Sequence, residues 1–542
     1  MARRARRGWL AGYVATTFLA FPHPIADRVV DLGLFVSWLA PACLLLGLRG
    51  LPPRSAARAA FTASWIAHCG VLHWIHVVTV EYGHAPAILG PFAVALLALY
   101  PALFAAAFGA AAAALSRRSS TPGSGLPSPW VAAALWAALD HGKTFVATGF
   151  PWALLGYAQH HNGPLLALAP FTGVFGLSFV VALGGAALAA LLAAWRHGAR
   201  LSRPALAALA AVATLHVAGA LDLARDAPPD GRRLRVAIAQ GNIEQGVKWN
   251  PEWAMRTLDI YAELTRRAVA AGAQVVLWPE TAVPGLPDAA PELADFLARL
   301  ARDHGVVLVV GAVGFERTGE RRAFYDSAFA WDATGRFLDR YDKTHLVPFG
   351  EYVPFRDLLG RFVSAIARGA ADTDVSPGPA PRAIRLPFGD DADPVSVGVP
   401  ICYELLFPDL MRRFAADGAE ALFGITNDAW YGRTGAPYQF LAITALRSAE
   451  SRLWTARAAN TGVSALIDDR GRVQEQTRIF ERDVRIGEIV LRPAPDGGSF
   501  YTRHGDWFAG TCWAASGILL GHRAQQVRRA RRAGGGRREE TA

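Results

Sequence analysis

Apolar residues are concentrated in long runs near the two ends of the chain. Up to residue 225 these runs contain few acidic residues, and one more run precedes the arginine-rich C-terminus. Because a helix of about 20 apolar residues spans a hydrocarbon core of ~30 Å, the pattern predicts about eight membrane spans. The predicted spans are 8–25, 29–48, 59–80, 87–115, 129–148, 164–195, 204–223 and 505–522.

The first of these runs has a second interpretation. Residues 8–25 follow several arginines, and a basic start before a short apolar core is also typical of a signal peptide. No convincing cleavage site of small residues follows the run. We therefore expect this segment to be retained as a span.

Residues 230–495 have the pattern of an α/β domain. Residues 233–243 alternate between apolar and polar like a strand, and residues 251–272 have helical spacing. Further strands are predicted within 274–280, 306–315, 394–402 and 420–426, with hairpins turning at 332–335 and within 464–476.

The distribution of charge predicts how these segments are oriented. The chain has 55 Lys and Arg against 45 Asp and Glu, a formal net charge of +10. With the N-terminus inside, the short outside loops carry little positive charge beyond Arg28 and Lys143. This positive-inside pattern accounts for the charge without a nucleic-acid partner. It predicts a seven-span membrane domain over 1–225, an outside domain over 230–495, an eighth span at 505–522 and a basic cytoplasmic tail at 523–542.

Cys402 is the one cysteine of the predicted outside domain, since the other three lie in apolar runs. A disulfide within the domain is therefore excluded, although paired cysteines usually form disulfides in an oxidising compartment. The thiol taken alone fits a small buried hydrophobe as well as a nucleophile.

Two other reactive side chains favour the nucleophile. Glu280, Lys343 and Cys402 all fall at the ends of predicted strands, where α/β folds gather their active sites. A glutamate can take the proton of a thiol, and a fixed ammonium together with a backbone N–H can stabilise the oxyanion formed at an acyl carbonyl. Lys343 and the N–H of Tyr403 are the candidate donors.

The motifs around these residues resemble those of a known family. "WPETAVPG", "DKTHLVPFGEYVPF" and "ICYE" are similar to the Glu-Lys-Cys triad motifs of the nitrilase superfamily. Together with "AQGNIEQGVKWNP", "GFPWALLGYAQ", "TNDAWYG" and "RAANTGVSALID", they more closely resemble its membrane-embedded branch, the apolipoprotein N-acyltransferases. The resemblance implies a polytopic helical membrane domain joined to a nitrilase-like αββα sandwich.

The resemblance also implies a ping-pong acyl transfer in the bacterial inner membrane. Cys402 would accept an acyl chain from a glycerophospholipid, and the thioester would pass it to the α-amino group of a lipoprotein's diacylglyceryl cysteine. Glu280 would be the base and acid, Lys343 the oxyanion donor and Glu351 a supporting carboxylate, with Tyr403 and Glu404 flanking the nucleophile. The resemblance implies no metal and no organic cofactor, and we expect a monomer.

The same motifs contain candidate substrate-binding residues. Phe150 and Trp152 lie in an outer loop where aromatic rings often meet lipid headgroups, and Lys143 stands near where the family would have an arginine. The remaining candidates are Trp249, Asn427 and Trp430. Residues 351–369 have the spacing of an interfacial arm or lid, and an ordinary core-packed helix would have the same spacing.

Two other functions fit parts of this pattern. A membrane-tethered amidase or nitrilase could use the same triad and pass its acyl-enzyme to water. A non-catalytic membrane scaffold could use the nitrilase-like surface to bind proteins. Seven spans exceed what a tether requires, and an intact triad argues against a scaffold.

Overall fold

The fold is known from a computed structural model. It describes residues 3–25, 28–116, 125–225, 231–246, 251–319, 321–352, 375–388, 393–492 and 498–539. Trp249 and nearly all of the predicted arm at 351–369 lie outside the described residues.

The described chain before residue 226 is mostly helical. Its helices are Arg3–Leu19, Gly33–Val36, Leu39–Leu48, Pro53–Val71, Ile75–Val77, Leu89–Leu115, Pro129–Gly142, Gly163–Leu166, Ala169–Arg196 and Arg203–Ala224. A π-helical turn, Val78–Tyr82, and two 3-10 turns, Val146–Thr148 and Leu155–Gln159, lie between them. Strands β1 (His23–Ile25) and β2 (Arg28–Val30) form a small antiparallel ribbon.

Three of these helices are long and apolar enough to cross a membrane. They are Leu89–Leu115, Ala169–Arg196 and Arg203–Ala224. The segments Pro53–Val71 and Ile75–Tyr82 pass the same test when joined, with a bend of 65° between them, and would make a fourth. The prediction of about eight spans is therefore confirmed only in part among the described residues.

The other predicted spans differ from the observed helices in length or continuity. Predicted span 29–48 starts in β2 and divides into two helices, and predicted span 129–148 stops being helical at Gly142. The helix Arg3–Leu19 has 17 residues and includes the basic N-terminus. The eighth predicted span, 505–522, overlaps a helix that begins two residues later and is longer, Trp507–Glu539. Apolar composition does not reveal where a backbone enters or leaves the helix, so hydropathy misplaced these boundaries.

Two six-stranded sheets form the α/β domain. Their strands are β3 (Arg233–Gln240), β4 (Val275–Leu277), β5 (Val307–Thr318), β6 (Arg321–Trp331), β7 (Phe337–Asp342), β8 (Ala383–Leu386), β9 (Val395–Gly398), β10 (Ala421–Thr426), β11 (Trp454–Ala459), β12 (Ala465–Ile467), β13 (Val473–Gln476) and β14 (Asp483–Val490). The first sheet has the strand order β14-β3-β4-β5-β6-β7 and the second β13-β12-β11-β10-β9-β8. The central strands of each sheet are parallel and the outer strands antiparallel.

The two sheets pack face to face and helices cover their outer faces. Along β3, Val236 and Ile238 belong to the core that includes the second sheet, whereas Ala237 and Ala239 pack with the outer helices. This alternation is the two-residue period of a strand buried on both faces. The helices are Pro251–Ala270 and Pro291–His304 on the first sheet, and Pro408–Ala416 and Ala436–Ser451 on the second. The predicted αββα sandwich is confirmed.

A buried ion pair joins the sandwich to the membrane helices. Arg447 and Glu450 lie on one face of the helix Ala436–Ser451, 2.8 Å apart. Glu450 accepts a hydrogen bond of 2.7 Å from the N–H of Val174, next to Gly173, whose φ of 62° interrupts the long helix Ala169–Arg196. Arg447 also contacts the Tyr157 hydroxyl at 3.1 Å. Because breaking a buried pair is costly, these contacts fix how the two parts meet.

Candidate active site

Glu280, Lys343 and Cys402 follow three strands of the sandwich. Glu280 lies just beyond β4, Lys343 directly follows β7, and Cys402 follows Ile401, which pairs with Ile425 of β10. The three residues are buried, with 6%, 0% and 7% of their surfaces exposed. The structure therefore brings together the three strand-end residues predicted from the sequence.

The Glu280 carboxylate is held by two hydrogen bonds from different strand ends. Its Oε1 accepts from Lys343 Nζ at 3.1 Å, and its Oε2 accepts from the backbone N–H of Asn427 at 2.6 Å. Gly311 of β5 allows this approach, since a Cβ there would lie 2.6 Å from the Glu280 Cα. The carboxylate is thus fixed in position before any substrate binds.

The Lys343 ammonium lies among three carboxylates. Its Nζ is 3.1 Å from Glu280 Oε1, 3.1 Å from Asp326 Oδ2 and 2.5 Å from Glu351 Oε1. Burial alone would lower the pKa of Lys343, but the carboxylates of Glu280, Glu351 and Asp326 outweigh it and raise that pKa well above its usual range. Lys343 therefore stays positively charged at neutral pH.

The carboxylates of Glu280, Asp326 and Glu351 lie within 4.8 Å of one another, a spacing that could hold a metal ion. The Lys343 ammonium lies in contact with all three and supplies the cation they share. Burial raises the pKa of Asp326 well above its usual range, and the neighbouring Glu280 raises it further. Burial also raises the pKa of Glu351, against the opposing effect of Lys343. The chemistry of this donor set favours a lysine-centred proton network over a metal centre.

Cys402 begins a short 3-10 helix, Cys402–Leu406, with a left-handed backbone at φ 47°. A non-glycine residue adopts this conformation only when its surroundings enforce it. Burial raises the pKa of the thiol well above its usual range; Glu280 raises it further, and Lys343 opposes this. The resting group is therefore a neutral thiol, which needs a base in order to react.

Glu404 fastens this turn to the loop after β7. Its Oε1 accepts from the Tyr341 hydroxyl at 2.8 Å and from the Thr344 N–H at 2.7 Å, and its Oε2 accepts from the Ile401 N–H at 2.8 Å. The residue is completely buried. Glu404 thus holds the thiol-bearing turn beside the strand that presents Lys343.

Tyr403 joins the same turn to the membrane part of the chain. Its hydroxyl donates to the Gly149 carbonyl at 3.1 Å, and its ring packs against Phe407. The Tyr403 N–H lies in the first turn of a helix, where N–H groups lack partners within the helix. It is therefore suitably placed to serve as an oxyanion donor.

The candidate substrate-binding aromatic residues occupy different environments. Phe150 stacks on Trp152 at 6.2 Å, but Trp152 is 2% exposed and donates to Gln439 Oε1 at 2.7 Å. Trp430 is 38% exposed and meets the Tyr82 ring edge-on at 5.9 Å. Of these rings, Trp430 is the one most open to a ligand.

Asn427 and Lys143 are both held by other protein groups. The Asn427 side chain donates to Gln245 at 2.8 Å and accepts from Asn460 at 3.1 Å, while its backbone N–H holds Glu280. The Lys143 Nζ donates to Asp140 Oδ1 at 2.7 Å, so its charge is paired within the membrane part. Asn427 therefore belongs to the support of the candidate base.

Comparison with known proteins places this site in a family. Residues 235–493 match the family "Carbon-nitrogen hydrolase", and residues 14–187 match "Apolipoprotein N-acyltransferase N-terminal domain". The apolipoprotein N-acyltransferase of Geobacter metallireducens is 37% identical over 518 residues, which cover 95% of each chain. The chain belongs to the apolipoprotein N-acyltransferase family. This confirms the resemblance predicted from the motifs.

Two other relatives and one solved structure are similar to this chain. The apolipoprotein N-acyltransferases of Pseudomonas syringae pv. tomato and Azotobacter vinelandii are each 35% identical; the first match covers 83% of this chain and 85% of the relative, the second 90% of each. The crystal structure of an amidase from Nesterenkonia sp. aligns with 53% of this chain and 98% of its own, at 21% identity and a TM-score of 0.37.

Sequence reasoning missed two residues of this apolipoprotein N-acyltransferase site. Asp326 lies within β6, and only the pairing of β6 with β7 brings it to Lys343, whose N–H donates to its carbonyl at 2.9 Å. Tyr431, in the motif "TNDAWYG", contacts the rings of Trp74 and Trp152 at 5.0 and 5.7 Å. Burial raises the pKa of Tyr431, and the nearby Cys402 raises it further, which relates this residue to the site. The available signal for Asp326 was an acidic residue in the middle of β6, next to the apolar half of that strand.

Proposed function

We propose that this chain transfers an acyl chain from a glycerophospholipid, through a thioester on Cys402, to the α-amino group of a lipoprotein's diacylglyceryl cysteine. The observation that carries the proposal is the buried contact between Glu280 and Lys343 beside a neutral thiol, in a chain that belongs to this family. A buried thiol gains reactivity only if a nearby group takes its proton.

In the first half-reaction Glu280 removes the proton of Cys402, and the sulfur attacks the ester carbonyl of the phospholipid. The carbonyl oxygen becomes an oxyanion, stabilised by the Lys343 ammonium and the Tyr403 N–H. The carbon–oxygen bond of the ester then breaks. Glu280 returns the proton to the departing oxygen, so that a lysophospholipid leaves and the acyl chain remains on sulfur.

The second half-reaction uses the same groups in reverse. The α-amino group of the acceptor loses a proton to Glu280 and attacks the thioester carbonyl. The same donors stabilise the second oxyanion, and the carbon–sulfur bond breaks. The proton returns to sulfur, which gives an amide-linked acyl chain and free Cys402.

Supporting residues hold this machinery in place. Glu351 and Asp326 fix the ammonium, Glu404 fixes the thiol-bearing turn, and the Asn427 N–H fixes the base. Phe150 and Trp430, together with Lys143 and Trp249, are candidate contacts to the two lipid substrates, and the buried Trp152 would support the Phe150 ring that stacks on it. Each of these roles is a proposal.

Both substrates carry acyl chains, so we place the reaction at the surface of the bacterial inner membrane. The proposed topology has about eight spans, with both termini in the cytoplasm and residues 230–495 on the outer side. The proposal rests on the positive-inside distribution of arginines. We propose a monomer that acts on lipids and lipoproteins without a cofactor.

The experiment is intact-mass analysis of the purified protein after incubation with phospholipid. We expect one acyl adduct on wild-type protein and on a control with its other cysteines, Cys43, Cys69 and Cys512, replaced by alanine. We expect no adduct on Cys402→Ala. The adduct should persist in water and disappear when a diacylglyceryl lipopeptide is added.

The outcomes separate the alternatives. An adduct that water removes without an acceptor would favour a membrane-tethered hydrolase. A wild-type protein that forms no adduct would favour a scaffold, and acyl transfer by Cys402→Ala would end the covalent mechanism.

A further inference from the structure

Two consecutive histidines and an aspartate are in contact with one another, and all three are distant in sequence from the residues of the candidate active site. Asp31 follows the ribbon β1–β2, while His160 and His161 follow the 3-10 turn Leu155–Gln159. The Nε2 atoms of His160 and His161 lie 2.9 and 3.3 Å from the same oxygen, Asp31 Oδ2. One ligand atom from each side chain lies within 4.8 Å of the other two.

The hydrogen bonds around His160 leave its Nε2 available as a ligand. Its Nδ1 lies 3.1 Å from the Tyr157 carbonyl, and a carbonyl only accepts, so Nδ1 carries a proton. With Nδ1 as the donor, the other ring nitrogen, Nε2, points at the Asp31 carboxylate, which is also an acceptor. Two acceptors at 2.9 Å require a cation between them or a second proton on the ring. Histidine ligands of metals have this arrangement, with the other ring nitrogen donating to a carbonyl.

Asp31 is likewise arranged to offer one oxygen. Its Oδ1 accepts from the Gly33 N–H at 3.2 Å, which leaves Oδ2 directed at the two imidazole rings. The rings themselves lie side by side, with centroids 4.0 Å apart. Ligands about 2.1 Å from a tetrahedral ion are about 3.4 Å apart. The His161–Asp31 separation of 3.3 Å already fits, and the His160 ring, at 2.9 Å, would move outward by a few tenths of an ångström to admit the ion.

We infer that Asp31, His160 and His161 form a binding site for a divalent metal ion of the zinc type, with water as the fourth ligand. Two neutral imidazoles and one carboxylate suit Zn²⁺ and its neighbours better than Ca²⁺ or Mg²⁺, which prefer oxygen ligands. The His161 side chain is 63% exposed, so the ion and its water can enter from the surface.

An ion bound there would join two loops that already touch. Gln159 donates to the Gly33 carbonyl at 3.3 Å and to Ser37 Oγ at 2.7 Å, so the segment before the histidines is already bonded to the segment after Asp31. A metal ion held by Asp31, His160 and His161 at once would link these two segments more strongly, because it would bind only while the three side chains stay together. The site is thus a structural clamp, independent of the proposed acyl transfer.

The test is titration of full-length, detergent-purified protein with ZnCl₂ after treatment with EDTA, using a purification tag without histidine. We expect one equivalent to bind and to raise the thermal midpoint, because the ion binds the folded state. Titration with Co²⁺ should give the visible absorption of a tetrahedral site.

Two variants and a control make the assignment specific. His161→Ala removes an exposed ligand, and Asp31→Asn removes the charge but keeps an oxygen for the Gly33 N–H. Each substitution should weaken Zn²⁺ binding by at least about tenfold. Removing a residue that only hydrogen-bonds to a metal ligand already costs that much. His504→Ala is the control. His504 is also exposed, and its Nδ1 likewise lies 3.0 Å from a backbone carbonyl, that of Phe500.

The inference fails if wild-type protein shows no saturable binding, which would leave a hydrogen-bonded cluster. It also fails if His161→Ala binds Zn²⁺ as tightly as the wild type. Because His161 is mostly exposed, that variant should fold, and its unliganded thermal midpoint checks this.

Discussion

Replacing Lys343 with methionine should affect both the thiol and the transition states. Methionine preserves much of the side chain's length but removes the charge that contacts Glu280, Asp326 and Glu351. An opposite charge within ~4–6 Å shifts a pKa by about 1–3 units. Since Lys343 holds the pKa of Cys402 down, its loss should raise that pKa.

The size of the shift follows from the surrounding carboxylates. Without the ammonium, three acidic groups within 4.8 Å of one another cannot all stay ionised. Asp326, whose pKa is already raised, is the group most ready to take up a proton. That protonation offsets part of the lost positive charge, so we expect the thiol pKa to rise by less than the loss of an isolated ammonium would cause.

Alkylation of Cys402 by iodoacetamide, measured by mass spectrometry across a pH series, reports this shift. Only the thiolate reacts with iodoacetamide. A higher thiol pKa therefore moves the curve of alkylation rate against pH to higher pH in Lys343→Met. The same variant also lacks an oxyanion donor, which should cost about 3–4 kcal/mol in each half-reaction, or roughly 10²–10³ in rate. Single-turnover acylation, and transfer from a pre-formed acyl-enzyme, measure the two steps separately.

Arg478→Met is a matched control, because the Arg478 side chain is 84% exposed and should affect neither measurement. An unmoved alkylation curve together with normal acylation in Lys343→Met would refute the electrostatic reasoning. It would mean that the buried ammonium serves stability alone.

Three further predictions test other parts of the proposal. Glu280→Gln keeps the size of the side chain but removes the base, so single-turnover acylation should slow by about 10²–10⁴-fold; a normal rate would exclude Glu280 as the base. The Glu404 carboxylate accepts from five donor groups. Glu404→Gln places an amide donor among them, so thermal unfolding should show a loss of about 1–3 kcal/mol, and an unchanged midpoint would contradict the role of Glu404 in holding the turn. An impermeant thiol reagent should label a cysteine introduced at Arg317 only from outside and one at Gly535 only from inside, and outside labelling at Gly535 would break the proposed topology.

The sequence predicted the sandwich well because its strands carry strong local signals. The apolar residues of β3 and the turn between β6 and β7, where the Gly335 N–H donates to the Asp332 carbonyl at 2.9 Å, are both predictable from residue types. Glu280 and Cys402 could be found because each follows an apolar strand, and Lys343 because it directly follows the second strand of the hairpin that turns at 332–335.

Other features depend on tertiary contacts that no local pattern reports. Asp326 reaches Lys343 only through the register of β6 on β7, in which Ser327 pairs with Asp342. Trp152 was expected at headgroup level, but its indole N–H finds Gln439 inside the protein. The break at Gly173 within an apolar helix is explained by the Val174 N–H that it directs to Glu450. A hydropathy pattern contains none of this information.

The placement of the thiol gives the membrane part a direct influence on the chemistry. Lys343 and Glu280 are positioned by strands of the first sheet, whereas Cys402 lies in a turn held from two sides. Glu404 bonds that turn to the loop after β7, and Tyr403 bonds it to the Gly149 carbonyl in the membrane part. A shift of the loop at Gly149 would therefore move the sulfur relative to its base without disturbing the base itself. Since proton transfer requires hydrogen-bond distance, lipid-dependent movement of that loop would change the reactivity of Cys402.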